Sequence, residues 1–242
     1  EYPHDCSEQI FSRYYANAIG THLANSDPKI KAIFEQWKRD AQNGNGDAFQ
    51  SEVEKNPELK QALLRETPWV RDAQNETEQR RRIAELFDTK RMESELAESL
   101  KKLKQNQLPD GGWGWFNGMR SNMFITRYIV SGFGKMRKMG VWKLDSETQS
   151  MLKDAIEFLD DELVRFYKLK DFSRKELNPS WTDLHLMYAR SFWLDDYPLR
   201  GNAKTLSNKV VKLIKQRWTN LDASQKGLAA IILNRFGHET DA

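Results

Sequence analysis

The sequence predicts an all-α fold, on three observations. Apolar residues recur at helical spacing along most of the 242 residues, capping and helix-stopping residues bracket those runs, and no stretch alternates apolar and polar residues with a period of two. The pattern reads as roughly ten helices joined by short loops, and this count is a reading of periodicity alone. Trp- and Phe-rich helices alternate with charged ones, which predicts an inner and an outer helical layer.

The elements follow in order. Ile10, Phe11, Tyr14, Tyr15, Ala18, Ile19, His22 and Leu23 form the first stripe, stopped by Pro28. Pro28 then suits the first turn of a second helix with Asp27 as N-cap, and Ile30, Ile33, Phe34 and Trp37 form its stripe. Asn43-Gly44-Asn45-Gly46 is a turn, a short helix runs over 56–64, and Thr67-Pro68 breaks it. Segments 75–87 and 91–103 read as charged helices with narrow apolar faces. A glycine-rich loop over 108–118 precedes a helix over 120–139, in which Phe124, Ile125, Tyr128, Ile129, Gly132, Phe133 and Met136 share one side. Asp145 caps a long helix to about Tyr167, and Pro179 opens the helix bearing Trp181, Leu184, Met187, Tyr188 and Phe192. Helices over 210–218 and 223–236 close the chain, the last capped by Asp222.

Composition narrows the function classes. No run approaches the ~18 apolar residues of a membrane span. The 38 Lys and Arg against 35 Asp and Glu leave a charge of +3 with the signs interspersed, which argues against a nucleic-acid partner. Arg80-Arg81-Arg82 reads as a solvated helix face. Cys6 is the only cysteine, so the chain holds neither an internal disulfide nor a multi-cysteine metal site, and the sequence predicts no metal and no cofactor. The opening Glu1-Tyr2-Pro3 is no leader and reads as the edge of a longer protein.

The chemistry is concentrated in Cys6-Ser7-Glu8-Gln9. A thiol and a glutamine amide three positions apart can be joined as a thioester with loss of ammonia. Its carbonyl is far more electrophilic than an amide, because sulfur donates poorly to it and thiolate leaves well. Gln9 then carries the acyl carbon and Cys6 is the leaving group, the reverse of a nucleophilic cysteine. The plain alternative is a half-buried thiol at a helix start. His4 is placed to act as a nearby base, or is simply a solvated loop residue. A helix directly after Gln9 offers free N–H groups and a positive dipole end to a developing oxyanion.

The octet Tyr2-Pro3-His4-Asp5-Cys6-Ser7-Glu8-Gln9 resembles the thioester signature of the α2-macroglobulin and complement family, with Tyr2, Pro3 and Glu8 as its supporting positions. A second patch agrees. Leu108-Pro109-Asp110-Gly111-Gly112-Trp113-Gly114-Trp115-Phe116, followed by Thr126-Arg127-Tyr128, is similar to the Pro-Asp-Gly-Gly-aromatic loop and Thr-x-Tyr helix of bacterial members. Glu66-Thr67-Pro68-Trp69-Val70 is similar to a loop of Bacteroides-type envelope macroglobulins. The resemblance implies one thioester-containing domain over 1–242, an α/α-toroid of concentric helices with the thioester and the Asp110, Gly111, Gly112, Trp113 and Trp115 loop at its rim. It implies a larger periplasmic or cell-envelope parent whose neighbouring domains shield the bond. That parent, an endopeptidase inhibitor rather than an enzyme, traps proteases covalently through their lysine amines. Such toroids usually run longer, so the ring is expected to be cut short at its C-terminus.

The sequence departs from the complement branch at one point. That branch places a relay histidine where this chain has 111–122, and no histidine stands there. His185 lies farther along, in an apolar helix, and reads as a packing residue. The resemblance therefore implies direct attack by amines. Two other readings stay open. A toroidal enzyme of the terpenoid-cyclase or glycan-cleaving type has a similar Gln…Gly…Trp element, but the chain holds one copy and no acid-rich or zinc motif. A degenerate toroid would serve only as a binding surface. Asp160-Asp161-Glu162 and Asp195-Asp196 are acidic runs that read as solvated helix faces rather than a metal or acid site.

Overall fold

A computed structural model of the chain describes residues 5–26, 28–29, 32, 39, 89–168, 170–174 and 176–238. These residues are 71% helical and include no strand, so the class is all-α. The helices are α1 (Ser7–Ser26), α2 (Thr89–Asn106), α3 (Met123–Lys138), α4 (Ser146–Tyr167), α5 (Trp181–Ser191), α6 (Gly201–Arg217) and α7 (Ala223–Arg235), with a 3-10 turn at Trp218–Asn220. Extended backbone pairs once among the described residues, in the antiparallel bridge Gln107–Trp113. The chain divides into two compact units, Glu1–Tyr15 with Ser99–Ala242, and Ala16–Glu98. The expected stripe of Ile30, Ile33, Phe34 and Trp37 and the expectations over 43–46, 56–70 and 75–87 lie outside the described residues, as does Asp27.

Within Ala16–Glu98, the Asn17 amide donates to one carboxylate oxygen of Glu95 at 2.9 Å and Arg91 Nε donates to the other at 2.9 Å. Gly20 admits Met92, whose sulfur would stand 3.1 Å from a Cβ there.

In the larger unit, α5 packs against α3, α4, α6 and α7. A helix touched on so many sides buries its polar residues as well, and each then needs a partner. Asp183, fully buried, accepts from Tyr167 Oη, from Lys170 Nζ at 2.7 Å and from the backbone N–H of Ser180 at 2.7 Å. Arg190, 1% exposed, donates from Nε to Asp160 at 2.7 Å and from its terminal nitrogens to the carbonyls of Trp193 and Tyr197. The caps at Asp145 and Asp222 form as expected, Asp145 accepting from Thr148 N–H and Asp222 forming a capping box with Gln225. The helix expected to open at Pro179 is α5, which starts at Trp181 with Ser180 as its cap, in a box with Asp183. The chain departs from expectation at α6, which starts at Gly201 and not near Val210. Its first two turns are buried through Ala203 and Ser207, small residues that leave almost no apolar signal in the sequence.

The first half of α1 is held by aromatic packing. The Phe11 ring lies 5.3 Å from that of Phe133 and 5.6 Å from that of Tyr128 in an edge contact. Phe133 meets Trp142 at 5.0 Å, and Trp142 meets Trp193 at 6.5 Å. Gly132 makes this seat possible, because a Cβ there would stand 2.3 Å from the Phe11 ring. Overpacking of this kind costs about 1–3 kcal/mol. Gly132→Ala is expected to lower the urea midpoint accordingly with an unchanged slope, and Phe11→Leu in the same chain should recover part of the loss.

Candidate functional site

The site starts as a helix-capping problem. The first N–H groups of α1 have no partners within the helix. Cys6 is the N-cap: its carbonyl accepts from Ile10 N–H at 3.0 Å, and its Sγ accepts from Gln9 N–H at 3.4 Å. Gln9 reaches back, its Oε1 accepting from Cys6 N–H at 3.1 Å. This is a capping box with a thiol in the serine position. It holds the thiol and the glutamine amide over the same turn, the juxtaposition a thioester needs. Cys6 is a free thiol at 7% exposure, so it is buried rather than half-buried at the helix start.

The glycine-rich loop meets this turn directly. Ser7 N–H donates to the carbonyl of Trp115 at 2.9 Å, so the two sequence patches share one hydrogen bond. The loop is built rigidly around Trp113, which is fully buried. Its indole N–H donates to Leu103 O at 2.8 Å, and its backbone N–H donates to Thr126 Oγ1 at 2.9 Å. Asp110 Oδ1 accepts from Gly112 N–H at 3.1 Å and from Ser121 Oγ. Gln107 Nε2 donates to Gly111 O and to Met151 O, each at 2.8 Å. Gly111 has φ +87°, and a Cβ there would stand 2.2 Å from Asp154 O, so two demands fix glycine at this position. Of the five rim-loop residues named from sequence, Asp110, Gly111, Gly112 and Trp113 are structural. Trp115 stays 40% exposed and stacks on Phe124 at 5.8 Å, with Arg127 over the Phe124 ring.

One group of site residues was not evident from the sequence. Ser12 Oγ donates to Glu8 Oε1 at 2.9 Å and lies 3.0 Å from Tyr128 Oη, while Cys6 Sγ donates to Glu8 Oε2 at 3.9 Å. The Thr-x-Tyr stretch marked Tyr128, but its partner Ser12 carries no motif. Asp5 is engaged elsewhere, with Arg13 at 2.9 Å and Lys102 at 4.0 Å.

The remaining candidates sit apart from the chemistry or outside the described residues. Tyr2, Pro3 and His4 are among the latter. His185 stacks on Trp181 at 5.2 Å, and burial, then the charges of Arg127 and Lys135, hold its imidazole below the usual histidine value. Asp160 is paired with Arg190, Asp196 with Arg137 and Glu162 with Arg165. Asp160 and Asp196 do line one cleft of about 530 Å³, with Ile156, Tyr197 and Pro198 on its walls. Among the described residues no three His, Cys, Asp or Glu side chains are grouped to hold a metal, and no helix is long and apolar enough to cross a membrane.

No protein-family model, curated protein or solved structure matches the chain. The family resemblance accordingly rests on its motifs.

The capping box separates two functions of Cys6. Cys6→Ala removes both cap acceptor and thiol and is expected to cost about 1 kcal/mol of stability, the typical loss of an N-cap. Cys6→Ser keeps an acceptor, so its thermal midpoint should stay closer to wild type while every thiol reaction at the site is lost.

Proposed function

We propose that the chain is the thioester-containing domain of an α2-macroglobulin-like protein of the bacterial envelope, an α/α-toroid that captures attacking proteases through a Cys6–Gln9 thioester. The observation that carries this reading is the reciprocal Cys6–Gln9 pairing, seated by Ser7 on the Trp115 carbonyl. It is supported by the meeting of two separate motif patches at one helix turn.

The chemistry follows from the geometry. The Cys6 thiol and the Gln9 amide close to a thioester and release ammonia. An attacking lysine amine adds to the Gln9 carbonyl, the C–S bond breaks, an amide forms and Cys6 returns as a thiol. Cys6 N–H lies against Gln9 Oε1, where the negative charge of the tetrahedral intermediate develops, and serves as an oxyanion donor. The acyl group is consumed, so the domain acts once and does not turn over. In the parent, a protease cut elsewhere in the chain exposes the bond, and a neighbouring domain shields it from water until then.

With no histidine relay in 111–122, attack is direct. Amines are stronger nucleophiles than neutral hydroxyls at this carbonyl. In the intact parent, the peptide spanning Cys6 and Gln9 should weigh one ammonia less than its sequence requires, and methylamine should release one thiol per bond. A full-weight peptide with a free thiol would leave only the helix cap and overturn the reading. Protease adducts should withstand hydroxylamine, which cleaves esters and spares amides; release of most adducts would mean that hydroxyls are attacked through a relay, with His4 the first residue to replace.

A further inference from the structure

Closing the thioester needs a proton carrier, and among the described residues one group is in place to do this. The thiol must lose its proton to attack the Gln9 amide, and the amide nitrogen must gain one to leave as ammonia. Cys6 Sγ donates to Glu8 Oε2 at 3.9 Å, a long contact of the kind that tightens as a reaction proceeds. The other nearby carboxylate, Asp5, is held by Arg13 and Lys102. We infer that Glu8 is the general acid–base of the Cys6–Gln9 site, by which the chain closes its own thioester. The inference rests on the thioester reading above.

The step balances without any co-reactant. Glu8 Oε2 takes the thiol proton, sulfur bonds to the Gln9 carbonyl carbon, and Cys6 N–H stabilises the oxyanion on Oε1. The intermediate collapses, the C–N bond breaks, and Glu8 passes the same proton to the departing nitrogen. The products are the thioester and ammonia, and Glu8 is regenerated. Attack by an external amine is this reaction run backwards, with that amine in place of ammonia. Glu8 therefore accepts the amine's proton and delivers it to the leaving Cys6 sulfur.

Ser12 and Tyr128 are positioning residues for this carboxylate. Ser12 has one hydroxyl proton, which it donates to Glu8 Oε1, so Tyr128 must donate in turn to Ser12 Oγ. Oε1 is thereby occupied and Oε2 is left facing sulfur. The Tyr128 ring is itself fixed by its edge contact with Phe11.

The test uses the full-length parent made by cell-free translation. Samples quenched with iodoacetamide at intervals give the closed fraction from the mass of the peptide spanning Cys6 and Gln9, and thiol release gives the rate of methylamine attack. Glu8→Gln is expected to slow closure and methylamine attack by one common factor, of order 10²–10⁴. Glu8→Asp should recover part of both rates. Tyr128→Phe should slow both by less, and should add no further loss to Glu8→Gln, because it acts only through that carboxylate. A parent that closes as fast with Glu8→Gln as without it overturns the inference and leaves the thioester reading standing. A wild-type parent that never loses ammonia overturns that reading itself. If Glu8→Gln lacks the wild-type circular dichroism spectrum, Tyr128→Phe and Ser12→Ala decide: slowed closure in a folded chain supports the role, and wild-type rates in both overturn it.

Discussion

The contact between the Phe11 ring and the bare backbone of Gly132 determines how closely the start of α1 lies on α3. That approach brings Ser12 to Tyr128, and it accompanies the seating of Ser7 N–H on the loop carbonyl of Trp115. A side chain at residue 132 would push the helix off its seat, and the polar contacts at its first turn tolerate only a few tenths of an ångström. Dispersion and burial hold the helix, while short directional hydrogen bonds set its register.

The first turn of α1 is a cap whose arrangement also suits the proposed chemistry. As a cap it satisfies N–H groups that would otherwise be unpaired next to a buried residue. For the proposed thioester it brings a thiol, an amide carbonyl, a carboxylate and a backbone N–H donor within one turn. The two demands agree because the capping box and the thioester require the same spacing of three residues. Rigidity comes from the loop side. Trp113, Gln107 and Asp110 direct their hydrogen bonds to backbone atoms, Thr126 and Ser121, so the Trp115 carbonyl is presented by a hydrogen-bonded frame.

The buried charges of α5 follow the same economy elsewhere. Asp183 and Arg190 each satisfy several groups at once, tying α5 to the end of α4 and to the turn that follows α5. Removing either partner would strand a buried charge, so these pairs specify the packing of the helix more than they add to its net stability. They also account for one acidic residue of α4, Asp160, which answers the buried Arg190.

What the sequence determined by itself is what depends on neighbours in the chain. The helical class, the caps at Asp145 and Asp222, and the Cys6–Gln9 spacing are local, since each is set within one turn. The beginning of α6 was hidden because Ala203 and Ser207 bury a face without an apolar pattern. The burial of Trp113 beside an exposed Trp115 could not be read either, because two tryptophans two residues apart have the same composition and differ only in what lies opposite them. Tertiary structure alone decided that Ser12 meets Tyr128, that Ser7 meets Trp115, and that a glycine in α3 is the seat of Phe11. Those contacts join residues more than a hundred positions apart. They depend on the packing of whole helices, which no local window of sequence contains.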